Sequence, residues 1–234
     1  MILSNTSLIR KTTLFLVAAM LSFSAMAADF VQVQREANQG IPEAQYKLGL
    51  MYNNGESVRQ DYAKAVEWYE KSANQGDAYA QNNLGLMYYN GEGVRQDYAK
   101  AVEWYEKSAN QGDADAQKML GLMYVQGQGV RQDYAKAVEW YEKAANQGNV
   151  DAQYSFGYMY LKGLGVRQDY GKAAAWYEKA AKQENVAAQY HLGVMYYNGE
   201  GVRQDYATAK EWFGKSCDNG NQDGCDNYRM LKQR

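Results

Sequence analysis

AQNNLGLMYYNGEGVRQDYAKAVEWYEKSANQGDAD, residues 80–115, is one unit of a pattern that fills the chain. Its central string, Arg-Gln-Asp-Tyr, begins at Arg59, Arg95, Arg131, Arg167 and Arg203, every 36 residues. A fixed period of this size marks a solenoid, in which each unit buries its apolar face only against its neighbours. A residue present in all five copies is therefore expected to build the repeat rather than to perform chemistry.

Within the unit, Ala80, Leu84, Met87 and Tyr88 fall on one helical stripe, which predicts a first helix over roughly 80–89. Gly85 sits in the middle of it, where glycine costs about 1 kcal/mol relative to alanine, so close approach by a neighbouring helix is expected. Asn90-Gly91-Glu92-Gly93-Val94 breaks the helix. Asp97 then reads as the N-cap of a second helix carrying Tyr98, Ala101, Trp104, Tyr105, Ser108 and Ala109, and Gly112 closes it. The tryptophans recur once per unit (Trp68, Trp104, Trp140, Trp176, Trp212) and read as core pieces. The expected architecture is all-α, a right-handed α/α superhelical solenoid of five helix–loop–helix repeats over 44–79, 80–115, 116–151, 152–187 and 188–223. An N-terminal capping helix over 28–43 and a C-terminal one over 224–234 flank them.

The leading segment differs in kind. Arg10 and Lys11 precede an apolar run from Leu14 to Leu21, and Ser24-Ala25-Met26-Ala27 supplies a small-x-small cleavage pattern. Residues 1–27 are thus expected to be a cleaved signal peptide, placing the mature chain in the periplasm or outside the cell, with no membrane insertion afterwards. Removal leaves 23 basic against 27 acidic residues, a net charge of −4 spread through every repeat. That distribution argues against nucleic acid and anionic membrane surfaces as partners. Both cysteines, Cys217 and Cys225, lie in the exported part and bracket a turn, which favours a disulfide.

The pattern Ala-Gln-x-x-Leu-Gly-x-Met-Tyr-x-x-Gly-x-Gly-Val-x-x-Asp-Tyr-x-Lys-Ala-x-x-Trp-Tyr-x-Lys-Ala resembles the Sel1-like repeat family, a relative of the tetratricopeptide repeat. The resemblance covers about 180 residues. Departures are Ser57, where the other copies have glycine, and Thr208, Phe213 and Gly214 in the last unit. The spacing of Cys217 and Cys225 is similar to that of cysteine-rich secreted members. There the bridge ties the second helix of one unit to the first helix of the next, and the resemblance implies that role here.

The repeats also compare the chain with itself. The first and second units differ at five of 36 positions: Tyr46/Asn82, Lys47/Asn83, Asn53/Tyr89, Ser57/Gly93 and Tyr79/Asp115. In tetratricopeptide proteins particular first-helix positions line a concave groove. By that resemblance the groove here takes Tyr46, Lys47, Leu50, Asn53 and Asn54, with Glu43 just ahead, so four of the five differences fall in it. The remaining copies supply Asn82, Asn83, Tyr89 and Asn90; Lys118, Met119, Val125 and Gln126; Tyr154, Ser155, Leu161 and Lys162; and Tyr190, His191, Tyr197 and Asn198. A constant framework with a varied face suits a binding surface, and neutral drift at exposed sites would look similar. Tyrosine brings large contact area with few rotors, and asparagine both donates and accepts, which suits a protein or peptide partner, or a glycan. Lys47, Asn82, Asn83 and Lys118 only approach the carboxylate clamp of some tetratricopeptide domains.

No catalytic residue, metal site or cofactor is expected. Some cysteine-rich relatives have been described as β-lactamases, but the chain contains no Ser-x-x-Lys, Ser-Asp-Asn or Lys-Thr-Gly. Its single histidine, His191, leaves no metal-ligand set, and Asn219 to Gly224 reads as an interhelical turn rather than a calcium loop. The loop arginines are expected to be solvated or paired with nearby acids. The expected function is an exported adaptor for a protein or peptide, in envelope signalling, complex assembly or host contact. The alternatives are an envelope hydrolase of the β-lactamase or penicillin-binding type, and a structural spacer.

Overall fold

Polar caps at regular intervals divide the chain into helices of nearly uniform length. The structure, a computed structural model, describes residues 28–233, so the expected signal peptide over 1–27 lies outside the described residues. Helix α1 covers 28–38. It is followed by α2 (Pro42–Asn54), α3 (Tyr62–Asn74), α4 (Ala78–Asn90), α5 (Tyr98–Asn110), α6 (Ala114–Gln126) and α7 (Tyr134–Asn146). Then come α8 (Val150–Lys162), α9 (Tyr170–Lys182), α10 (Val186–Asn198), α11 (Tyr206–Asp218) and α12 (Gln222–Lys232). Among the described residues the fold is all-α, without strands.

The expected second-helix caps are present: Asp61, Asp133, Asp169 and Asp205 each accept a first-turn amide proton. The first helices begin two residues earlier than expected, because Asp77, Asp113, Asn149 and Asn185 cap them in the same way. Only α2 lacks such a side chain and starts instead on Pro42, whose fixed φ suits a first turn. Gly55, Gly91, Gly127, Gly163 and Gly199 end the first helices in the left-handed region.

The chain divides into two units, one ending at Asp97 and one beginning at Tyr98. In the first, α1 to α4 bury Val33, Ala37, Leu48, Met51, Tyr69, Ala73, Leu84 and Met87. In the second, α5 to α12 bury the equivalent alanines, leucines and methionines together with Tyr141, Phe156, Tyr177 and Phe213. The mid-helix glycines answer to these rings. A Cβ on Gly49 would lie 2.5 Å from Tyr69 Cδ1, and one on Gly193 2.7 Å from Phe213 Cδ1. The tryptophans differ from expectation. They are half-buried, and a lysine three residues on lies over each ring, Lys71 over Trp68 at 3.6 Å and Lys179 over Trp176 at 3.7 Å.

Within each unit a buried amide ties neighbouring repeats together. In α8, Gln153 Nε2 donates to the Ala145 carbonyl at 3.2 Å, and its Oε1 accepts from Gln183 Nε2 at 2.9 Å. One side chain thus joins the end of the preceding second helix to the end of the following one. Gln45, Gln117 and Gln189 repeat the arrangement. At the C-terminal end Cys217 and Cys225 form a disulfide with Cα atoms 4.5 Å apart, joining α11 to α12. Asn221 caps α12, so the segment read as an interhelical turn is one.

Candidate partner-binding surface

The residues chosen for a binding face lie opposite the core face of their own helices. At about 100° per residue, positions 43, 46, 47, 50, 53 and 54 of α2 fall within an arc of about 120°. The residues α2 buries, Ala44, Gln45, Leu48, Gly49, Met51 and Tyr52, occupy the other side. Tyr46 and Asn53 are half-buried and Lys47 and Asn54 exposed. The same division holds in α4, where Asn82, Asn83 and Tyr89 are half-buried and Asn90 exposed, and in α6, where Lys118 is half-buried and Gln126 exposed.

In the first unit this face is partly committed to local bonds. Lys47 Nζ lies 3.1 Å from Asp29 Oδ1 on α1, which ties it to the N-terminal helix. Asn53 donates to Asn54, and Asn54 donates to Glu56 at 2.8 Å. Tyr46 stacks on Tyr79 with ring centroids 6.0 Å apart, and it tilts over the buried Tyr69. Tyr79 itself is 64% exposed. Asn83 hydrogen-bonds the Tyr69 hydroxyl from the following repeat.

The second unit gathers more of the expected residues. Tyr154 of α8 lies 5.5 Å from Tyr177 and 5.9 Å from His191, and His191 of α10 stacks on Tyr177 at 5.3 Å with the rings 14° from parallel. Tyr190 meets His191 edge-on and continues to Phe213. Lys162 Nζ lies 5.9 Å from the Tyr158 ring, one turn further along the face. His191 is thus half-buried in an aromatic stack, where the sequence suggested a surface or groove contact. Tyr197 packs on Tyr206 and, like Tyr190, against the core around Phe213, and Asn198 donates to Glu200 at 3.2 Å.

Burial sets the charge states. It pushes the hydroxyls of Tyr69, Tyr141, Tyr154 and Tyr177 upward, that of Tyr141 to about 12 against the opposing bond from Ser155. His191 is lowered, first by burial and then by the nearby Lys162 ammonium, which favours the neutral imidazole at pH 7. Tyr158, 37% exposed, belongs to the same face and was not singled out from sequence. Its signal was available, since α8 has tyrosine where α2, α4 and α6 have Leu50, Leu86 and Leu122.

A second kind of surface feature repeats without variation. Tyr52, Val58, Arg59, Gln60, Asp61 and Lys64 line an open hollow of about 500 Å³. Equivalent hollows of 490 and 510 Å³ lie at Tyr124 and Tyr160. Among the described residues none of the loop arginines is in a salt bridge, so of the two expected environments they take the solvated one. Identical linings in three places point to scaffold geometry. Among the described residues there is no cluster of side chains that could hold a metal ion, and no helix is long and apolar enough to cross a membrane. The disulfide is compatible with a location outside the cytoplasm.

The Sel1 repeat model matches residues 42–77, 78–113, 114–149, 150–185 and 186–221. A protective antigen of uropathogenic Escherichia coli displaying an SLR fold is 47% identical with a TM-score of 0.81, over 82% of this chain and 41% of that one. A Sel1 repeat protein of Oxalobacter formigenes is 39% identical with a TM-score of 0.77, over 87% of this chain and 58% of that one. One of Klebsiella pneumoniae is 27% identical with a TM-score of 0.54, over 87% and 99%. The chain thus spans less than two thirds of the first two structures. No curated protein matches it significantly. Sel1 repeat proteins are commonly protein-interaction scaffolds and generally non-catalytic. With five matched repeats, an all-helical architecture and these structural relatives, the chain belongs to the Sel1 repeat family.

Proposed function

We propose that the chain is an exported adaptor that binds a protein or peptide partner through the variable face of its first helices, in envelope signalling, complex assembly or host contact. The supporting observation is the placement of the differences between copies. Four of the five between the first two repeats share one helical arc opposite the core, and on or beside it stand large aromatic side chains open to solvent, Tyr79 and Tyr158. Aromatic residues held on a rigid scaffold supply contact area at low entropic cost. Export rests on the leader pattern over residues 1–27, and a disulfide fits an oxidising compartment.

Capture from envelope extract tests the face. Tyr154→Ala with Tyr158→Ala should lose the partner, whereas Glu139→Ala with Glu142→Ala, on the exposed side of α7, should keep it. Equal capture by both variants would contradict the proposal and favour a spacer. Protease treatment of the captured material separates a protein from a glycan. Export predicts that the mature protein from the envelope fraction begins at Ala28; a chain beginning at Met1 would overturn it. The hydrolase alternative rests on no residue set in the chain, and turnover of a penicillin by the purified protein would be needed to establish it.

A further inference from the structure

The second helices of the first four repeats carry a tyrosine at the position of Tyr69, and in two of them its hydroxyl is bonded from the next repeat. Asn83 bonds Tyr69 and Ser155 bonds Tyr141. Tyr177 differs from these two. The following repeat offers His191, which stacks on the ring instead, and the hydroxyl is buried with no protein hydrogen-bond partner. The residue as a whole is 0% exposed. In the fifth repeat Phe213 stands at this position, so the fold does not need a hydroxyl there.

The Tyr154 ring packs on Tyr177 at 5.5 Å, and Tyr154 and Tyr158 would each oppose ionisation of the Tyr177 hydroxyl. Lys162 is close enough to act on His191, and among the described residues it has no salt-bridge partner. Three phenols, a neutral imidazole with one N–H, and an ammonium thus share this face, with Tyr154, Tyr177 and His191 in ring contact and Lys162 beside Tyr158, and all of them can donate. Such a set fits an acceptor with negative charge, because charge-assisted bonds are the stronger kind and the buried donor gains a partner it lacks.

Building on the proposed binding face, we propose that Tyr177, His191 and Lys162 form a pocket for the side-chain carboxylate of an acidic residue in a peptide partner, walled by Tyr154 and Tyr158. The carboxylate accepts a hydrogen bond from the Tyr177 hydroxyl as the His191 ring turns aside, and Lys162 supplies the countercharge.

His191 is the single histidine of the chain, so its imidazole signals in an NMR spectrum identify themselves. The test titrates the mature protein with three N-acetylated peptides. The first is a C-amidated pentapeptide of alanine and leucine with a central glutamate. The second has glutamine in its place, and the third has no acidic residue but a free C-terminal carboxylate. The glutamate peptide should shift the His191 signals saturably, with the glutamine peptide at least tenfold weaker. Tyr177→Phe and Lys162→Ala should each weaken the glutamate peptide severalfold, Tyr177→Phe without loss of thermal stability. Equal response to glutamate and glutamine, or none to either, would overturn the pocket. Tighter binding of the third peptide would overturn its assignment to a side chain. Loss of the envelope partner by the Tyr154→Ala, Tyr158→Ala variant, with His191 indifferent to every peptide, would remove the pocket and leave the face standing. A glutamate-selective His191 response in a protein whose partner ignores those two tyrosines would remove the face as the adaptor surface.

Discussion

Tyr69 and Tyr177 occupy the same place in the first and fourth repeats. Both are buried, and both fill the space left by a mid-helix glycine, Gly49 and Gly157. Tyr69 is bonded by Asn83, whereas Tyr177 lies under His191 with its hydroxyl unbonded. The difference comes from one residue of the next repeat, at a position outside the repeated pattern. A solenoid can therefore make a site without altering its framework, by changing which neighbour a constant residue meets.

The framework half of the comparison carries the largest expected effects. A Cβ on Gly165 would lie 2.2 Å from the Tyr134 carbonyl oxygen, where the loop of one repeat rests on the start of the preceding second helix. Gly165→Ala should destabilise by roughly 3 kcal/mol, combining overpacking against backbone with a positive φ. Ser57 occupies the same loop position in the first repeat with φ 62°, and the equivalent carbonyl would come from residue 26, ahead of the described residues. Ser57→Gly should stabilise by about 1 kcal/mol through relief of the left-handed strain. Urea denaturation of the two variants checks both, and a mild Gly165→Ala would show that the loop can move off this carbonyl.

The amide clamp comes next. Gln153→Leu removes the partner of the Ala145 carbonyl and of Gln183, and should cost about 2 kcal/mol. An unchanged midpoint would show that these bonds are replaced by water.

The smallest effect concerns pH and sharpens the site half. Burial lowers the His191 pKa in the folded state, so below the ordinary value near 6.5 the unfolded chain binds the proton more readily. Stability should fall as the pH drops through that value, and it should level off below the folded pKa. His191→Gln should flatten this part of the profile. An identical slope in the variant would contradict a buried neutral imidazole.

Much of the framework was legible because each of its residues has one job at one spacing: the Gly pairs, the Asp97-type caps and the Leu-Gly stripe all recur. The early helix starts were missed because Asp77 and Asn149 follow a glycine, where a polar residue reads equally well as turn or cap. Gln153 was visible as a constant residue, but its burial was not, since a glutamine in a helix reads as exposed until its partners are known. The varied face was legible from the differences between copies. The meeting of Tyr154, Tyr177 and His191 was not, because it depends on the register of helices from successive repeats. The pairing of Lys47 with Asp29, which ties that lysine to α1, depends on the same register.

The most direct measurement is the paired stability of Tyr69→Phe and Tyr177→Phe by urea denaturation at pH 7. Tyr69→Phe leaves Asn83 without its partner and should lose about 1 kcal/mol, whereas Tyr177→Phe removes an unbonded buried hydroxyl and should lose nothing or gain slightly. Equal losses would show that the two hydroxyls are satisfied alike and would contradict the distinction on which the site is built.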